Sequence, residues 1–177
     1  QRNVQPHPGT SVISFETMTV TAGIQAIANM IVSRERPYGR TCGLELSEDT
    51  RMCDANNRFQ SFFSGHTSQT FAAAALTCTH HMNIPLYGGG PEEVIPCITG
   101  FGLATATGML RIVGDRHFMT DVLVGAFVGT GVGFLLPWIL HYNGEPAEPL
   151  GGAAAEESDV TIMVAPSPNG VGAFGTF

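Results

Sequence analysis

Residues able to handle an anion gather in three short segments of this 177-residue chain. The first is Arg34-Glu35-Arg36-Pro37, the second Phe63-Ser64-Gly65-His66-Thr67-Ser68, and the third runs from Arg111 to Asp121, RIVGDRHFMTD. Two histidines beside two arginines read as phosphoryl-transfer chemistry without a metal. One imidazole attacks, the other protonates the leaving oxygen, and guanidinium groups neutralise the equatorial oxygens. Four residues separate His117 from Asp121. If His117 opens a helix, Asp121 shares its face one turn on, accepts the imidazole N–H and leaves the other ring nitrogen free to attack. Ser64 or a neighbour caps the helix that follows it, and Gly65 lets the backbone come close to a ligand. The free N–H groups at that helix start are a ready anion site.

Something must bring the three segments together. Four apolar stretches flank them: Ser11 to Ser33, Thr67 to Cys78, Val94 to Leu110, and Val122 to Leu140. Long runs separated by Gly/Pro loops argue for helices rather than hairpins, so the expected fold is an all-α bundle of about four core helices. In an up-and-down bundle the end of the first helix, the start of the second, the end of the third and the start of the fourth face one side. Arg36, Arg111, His66 and His117 then surround one pocket. The fourth stretch is uncharged and long enough for a bilayer, and the third nearly so. Gly125, Gly129 and Gly133 recur every four residues along it, a smooth stripe for close helix contact.

Composition supports burial in lipid or in a bundle. Hydrophobic residues make up 44% of the chain and charged residues only 13%, against about 25% charged in an average soluble domain. The formal net charge of −7 excludes a nucleic-acid binder. All eight basic residues are arginine, which suits bidentate recognition of oxyanions or simply reflects base composition. Glu145, Glu148, Glu156, Glu157 and Asp159 crowd a tail without any basic residue. The expected organisation is an N-terminal extension (1–10), a helical domain (11–142) and a low-complexity, disordered or weakly ordered acidic tail (143–177). Gln1 stands where an initiator methionine would, so the chain is expected to be processed or a fragment. Cys42 and Cys53 share a polar loop and are the better disulfide candidates. Cys78 and Cys97 are a second pair, with free buried thiols as the alternative. The adjacent His80 and His81 read as a loop feature.

The order RP, then SGH, then R-x5-H-x3-D resembles the type 2 phosphatidic acid phosphatase (PAP2) superfamily, which also contains vanadium haloperoxidases. The match lies at Arg36-Pro37, at Ser64-Gly65-His66, and at Arg111, His117 and Asp121. The resemblance implies His117 as a nucleophile forming phosphohistidine, Asp121 as its orienter and His66 as general acid. Arg36, Arg111, the Ser64 hydroxyl and the Gly65 N–H would bind phosphate, and no metal or cofactor would be needed. Three positions depart from the family pattern. Its lysine falls at Asn29, its proline before SGH at Phe63, and its serine before the third-motif arginine at Leu110. Asn29 offers a hydrogen bond without charge, and Arg34 or Arg40 is expected to replace the lost charge. A missing charge-assisted contact costs about 1.5–3 kcal/mol.

The implied activity is hydrolysis of phosphate monoesters, the substrate being a lipid phosphate, a lipid diphosphate or a small phosphate ester. Two alternatives stand beside it: a vanadium-dependent haloperoxidase with vanadate on His117, and a weakened PAP2-like membrane or anion-binding protein. Membrane-bound members usually have six helices, so two would lie upstream of the four here. The implied location is a bacterial-type cell membrane with the pocket on the extracytoplasmic side, beside Cys42 and Cys53. Cys78 and Cys97 would then lie on the opposite side. Their pairing would instead favour a soluble, exported protein.

Overall fold

The computed structural model describes residues 8–43, 53, 57–142, 161–167 and 170–176. Four long helices lie in the first of two units: α1 (Pro8–Val32), α2 (Gly65–Asn83), α3 (Val94–Val113) and α4 (Met119–Pro137). A π-helical turn, Trp138–Tyr142, prolongs α4. These helices contain the four apolar stretches, apart from the ends of the first and the last. Short 3-10 turns at Pro37–Thr41 and Pro91–Glu93 each open on a proline, whose fixed φ suits a first helical position. Residues 1–7 of the expected extension and 143–160 of the expected tail lie outside the described residues.

Helix α1 stops where Ser33 turns left-handed (φ 43°) while its N–H still reaches Asn29 O at 3.0 Å. Arg36, held before Pro37, is extended at ψ 154°. Along α1, Ile13, Thr17 and Thr21 form a buried stripe at four-residue spacing, and Gln25 and Asn29 continue the same spacing toward its C-terminus. The buried hydroxyls of Thr17 and Thr21 donate to the carbonyls four residues back, at 2.8 and 2.7 Å, so neither is left unsatisfied.

Helix α2 touches all three others. Its small buried residues, including Ala72, Ala74 and Ala75, allow that. The glycine stripe of α4 lies against it. A Cβ on Gly125 would sit 2.8 Å from Ser64 O, one on Gly133 would sit 2.5 Å from Ala72 O, and one on Gly129 would run into Ser68 O. Only hydrogen fits at these three positions. His80 and His81, expected in a loop, are instead in the last turns of α2. Side-chain partners carry the helix on to Asn83: His80 Nδ1 meets the Tyr142 hydroxyl at 2.6 Å, and His81 pairs with Glu93.

The outer faces are strongly apolar. Ile95, Ile98, Leu103, Met109, Leu110 and Val113 are exposed on α3, and Leu123, Phe127 and Leu135 on α4. Two helical segments, Pro91–Val113 and Met119–Tyr142, are long and apolar enough to cross a membrane. Both cysteine pairs are disulfides, Cys42–Cys53 and Cys78–Cys97. They lie at different levels of the bundle: the first follows α1, and the second joins the C-terminal half of α2 to the first turn of α3.

The second unit contains a hairpin among its described residues, an element not expected in the tail. Strands β1 (Thr161–Ser167) and β2 (Gly170–Thr176) pair antiparallel, Thr161 with Thr176 and Ser167 with Gly170. The run Thr161-Ile162-Met163-Val164 has strand propensity that an average over the acidic, glycine-rich tail conceals.

Candidate active site

The ends of α1 and α3 and the starts of α2 and α4 meet at one end of the bundle, as the up-and-down reading requires. Backbone ladders lock the connecting segments together. Arg36 N–H donates to Arg58 O (2.9 Å), Ser61 N–H to Arg34 O (2.9 Å) and Ser64 N–H to Asp121 O (3.0 Å). The turn after α3 folds back on itself, with the N–H groups of Arg116 and His117 both donating to Arg111 O. A cavity of about 380 Å³ opens at this end, and Asn29, Arg36, Gly65, His66 and His117 are among its walls.

His117 is almost fully buried, and its Nδ1 lies 2.8 Å from the carbonyl oxygen of Ser61. A carbonyl can only accept, so Nδ1 carries the hydrogen and Nε2 keeps a lone pair. Burial, and next the positive charge of Arg36 and Arg111, lower the His117 pKa to about 4, against an opposing pull from the Ser61 hydrogen bond. The imidazole is therefore neutral over most of the pH range.

The expected role of Asp121 needs correction. His117 precedes α4 rather than opening it, and its Nδ1 lies 4.0 Å from Asp121 Oδ2. The carboxylate takes other donors: Ser61 Oγ at 2.6 Å and Phe118 N–H at 3.0 Å on Oδ2, and Arg34 Nη1 at 2.7 Å on Oδ1. Asp121 thus fixes Ser61, and Ser61 fixes His117. Ser61 was missed because its contact is made by a backbone carbonyl, which carries no residue signature.

Arg34 and Arg40 do not replace the missing charge. Arg34 is spent on Asp121, on Thr120 Oγ1 (2.9 Å) and on the face of Phe118, and Arg40 covers the same ring at 4.9 Å. Neither lines the cavity. Ser64 also turns away from it. Fully buried, it is the N-cap of α2, and its hydroxyl accepts from Thr67 Oγ1 at 2.9 Å.

Arg36 lines the cavity; Arg111, expected there too, is not among its walls, though its charge reaches both imidazoles. The Nε of each arginine is buried without a hydrogen-bond partner, as is Asn29 Oδ1. Two buried guanidinium donors without acceptors favour an oxyanion ligand, because an unmet buried donor costs about 1–3 kcal/mol. His66, in the first turn of α2, is held below its ordinary pKa by partial burial and then by the charges of Arg111 and Arg36.

A helical bundle that gathers two imidazoles and a guanidinium group round one cavity at the start of α2 is the class of structure the fold and site define. The chain belongs to the PAP2 superfamily, whose family model matches residues 11–145. Lipid A 1-phosphatase of Porphyromonas gingivalis is 40% identical over 79 residues, which are 45% of this chain and 16% of that protein. The aligned part is thus a small fraction of that relative's length. No solved structure matches the chain.

Proposed function

We propose that the chain hydrolyses lipid phosphate monoesters through a covalent intermediate on His117, with no metal in the reaction. The observation that carries this reading is His117, its Nδ1 engaged by Ser61 O, on a cavity that Arg36 and His66 also line, with the Arg111 charge acting on both imidazoles. The phosphate oxygens take the guanidinium donors of Arg36 and the N–H groups at the start of α2. Nε2 attacks phosphorus in line, the ester P–O bond breaks, and His66 gives the leaving alkoxide its proton. Neutral His66 then takes a proton from water, the oxygen attacks the phosphohistidine, and phosphate and His117 are released. A bound phosphate dianion offsets the two positive charges that depress His66, favouring its acid form when a proton is needed. Phosphate release from a lipid phosphate in detergent, with EDTA present and vanadate as inhibitor, tests the reading. Bromide oxidation by peroxide in the presence of vanadate would select the haloperoxidase instead.

The pH profile follows from the two imidazoles. His117 must be neutral, so kcat/KM falls about tenfold per unit as pH drops below about 4. His66 must be protonated, so the alkaline limb lies below the ordinary histidine value of 6.5. An acidic optimum between these limits is the expected result, and an optimum above pH 7 would reject the assignment.

The apolar faces of α3 and α4 support membrane embedding, and the Cys42–Cys53 disulfide supports an oxidising, extracytoplasmic side for the pocket end. The Cys78–Cys97 bond favours a second reading, in which the whole chain is exported and soluble. Alkaline carbonate extraction separates them: an embedded chain stays in the membrane pellet, and an exported soluble one is released.

A further inference from the structure

Resting on the phosphatase reading, we propose that Arg34 is a positioning residue for the His117 imidazole, acting through Asp121 and Ser61 rather than on the substrate. The three residues close a hydrogen-bonded ring. Ser61 N–H donates to Arg34 O at 2.9 Å, the Ser61 hydroxyl donates to Asp121 Oδ2 at 2.6 Å, and Arg34 Nη1 donates to Asp121 Oδ1 at 2.7 Å. The ring ties Ser61 at its N–H and at its hydroxyl. Its carbonyl oxygen points out of the ring and lies 2.8 Å from His117 Nδ1. Where the ring holds that carbonyl decides which nitrogen of His117 carries the hydrogen.

Arg34 is the member of the ring that the other two cannot do without. Ser61 and Asp121 are fully buried, and a buried carboxylate needs a compensating charge. The other donors to Asp121, the Ser61 hydroxyl and the Phe118 N–H, are neutral. His117, 4.0 Å from Oδ2, is neutral above about pH 4, so the positive charge comes from Arg34. Without that charge the carboxylate takes up a proton or draws the imidazole hydrogen to itself, and either event loosens the Ser61 carbonyl from Nδ1. The guanidinium is itself fixed. Its Nη1 also donates to Thr120 Oγ1 at 2.9 Å, and its Cζ lies 4.1 Å from the centre of the Phe118 ring. A lysine ammonium could keep the charge on Asp121 but not the planar stacking. Arg34, Ser61 and Asp121 are all absent from the walls of the 380 Å³ cavity. Their effect on the reaction therefore passes through His117.

The test reads the imidazole directly. Full-length protein labelled with nitrogen-15 at its histidines is held in detergent, and His117→Ala assigns the His117 resonances. The unaltered protein is expected to show a protonated Nδ1 and a bare Nε2. In Arg34→Gln the two tautomers are expected to mix. Its kcat on a lipid phosphate should fall about 10- to 100-fold, while affinity for inorganic phosphate stays within about threefold. Arg34→Lys should keep the hydrogen on Nδ1 and hold kcat within about fivefold of the unaltered protein. Arg34→Gln leaves a buried carboxylate unpaired, so Arg34→Gln combined with Asp121→Asn, which leaves none, is measured beside Asp121→Asn alone. If Arg34 acts through Asp121, the double variant is no worse than the single one. Losses that multiply, or a fall in kcat with the tautomer unchanged, overturn the proposal. The tautomer is read without turnover, so the two readings fail separately. A ring that responds to Arg34 in a protein that releases no phosphate defeats only the phosphatase reading. Phosphate release with a His117 ring indifferent to Arg34 defeats only this one.

Discussion

His117→Ala should reduce phosphate release by on the order of 10⁴-fold or more, the scale seen when a covalent nucleophile is deleted. The reason lies in how narrowly the attacking atom is specified. The Ser61 carbonyl holds the hydrogen on Nδ1, and burial and the two arginines keep the ring neutral down to about pH 4. Alanine leaves no other nucleophilic nitrogen free on the cavity wall, because the remaining neutral nitrogens are carboxamides and His66 is needed as acid. Arg36, Arg111 and the start of α2 are untouched by the change, so affinity for inorganic phosphate should shift far less than turnover. A kcat collapse with a small change in phosphate affinity is therefore the expected signature. His66→Ala should cost about 10²–10⁴-fold. The double variant should be little worse than His117→Ala alone, since both residues serve one step. Unchanged release from His117→Ala would refute the phosphohistidine scheme.

The sequence made the bundle and its polar end legible because both depend on strong one-dimensional signals. Long apolar runs specify helices, Pro37 stops the chain after α1, and the spacing of Gly125, Gly129 and Gly133 specifies a face that only backbone can approach. The placement of Arg36, His66 and His117 at one cavity follows from connectivity alone. What could not be read was the choice among competing partners in space. Four-residue spacing suggested an Asp121–His117 hydrogen bond, yet His117 lies before the helix and a main-chain oxygen from another segment reaches its ring first. Arg34, close in sequence to Arg36, points to the opposite partner because Asp121 offers a fully buried carboxylate 2.7 Å away. The π turn and Tyr142 capture His80 from a segment 62 residues distant, a contact no local pattern encodes.

Asn29→Lys should raise the hydrolysis of phosphate esters that lack hydroxyl groups by about 10- to 100-fold, corresponding to a regained charge-assisted contact of about 1.5–3 kcal/mol. Asn29 lies on the cavity wall with Arg36, and neither Arg34 nor Arg40 has moved in to supply the cation. An ammonium at this position would reach the phosphate as a third positive group, and its benefit should be greatest as charge develops on the transferring phosphoryl group. The same substitution removes Asn29 Oδ1, a buried acceptor with no partner in the protein. Lysine donates only, so a substrate hydroxyl bound at that point loses its acceptor. The variant should therefore gain on ethyl or phenyl phosphate and gain less, or lose, on a sugar phosphate. Measuring kcat/KM for both esters in the two proteins gives the comparison. A uniform gain across substrates would mean that Asn29 is only a vacancy of charge. A gain confined to the ester without hydroxyls would mean that asparagine exchanges phosphate affinity for recognition of what the phosphate is attached to.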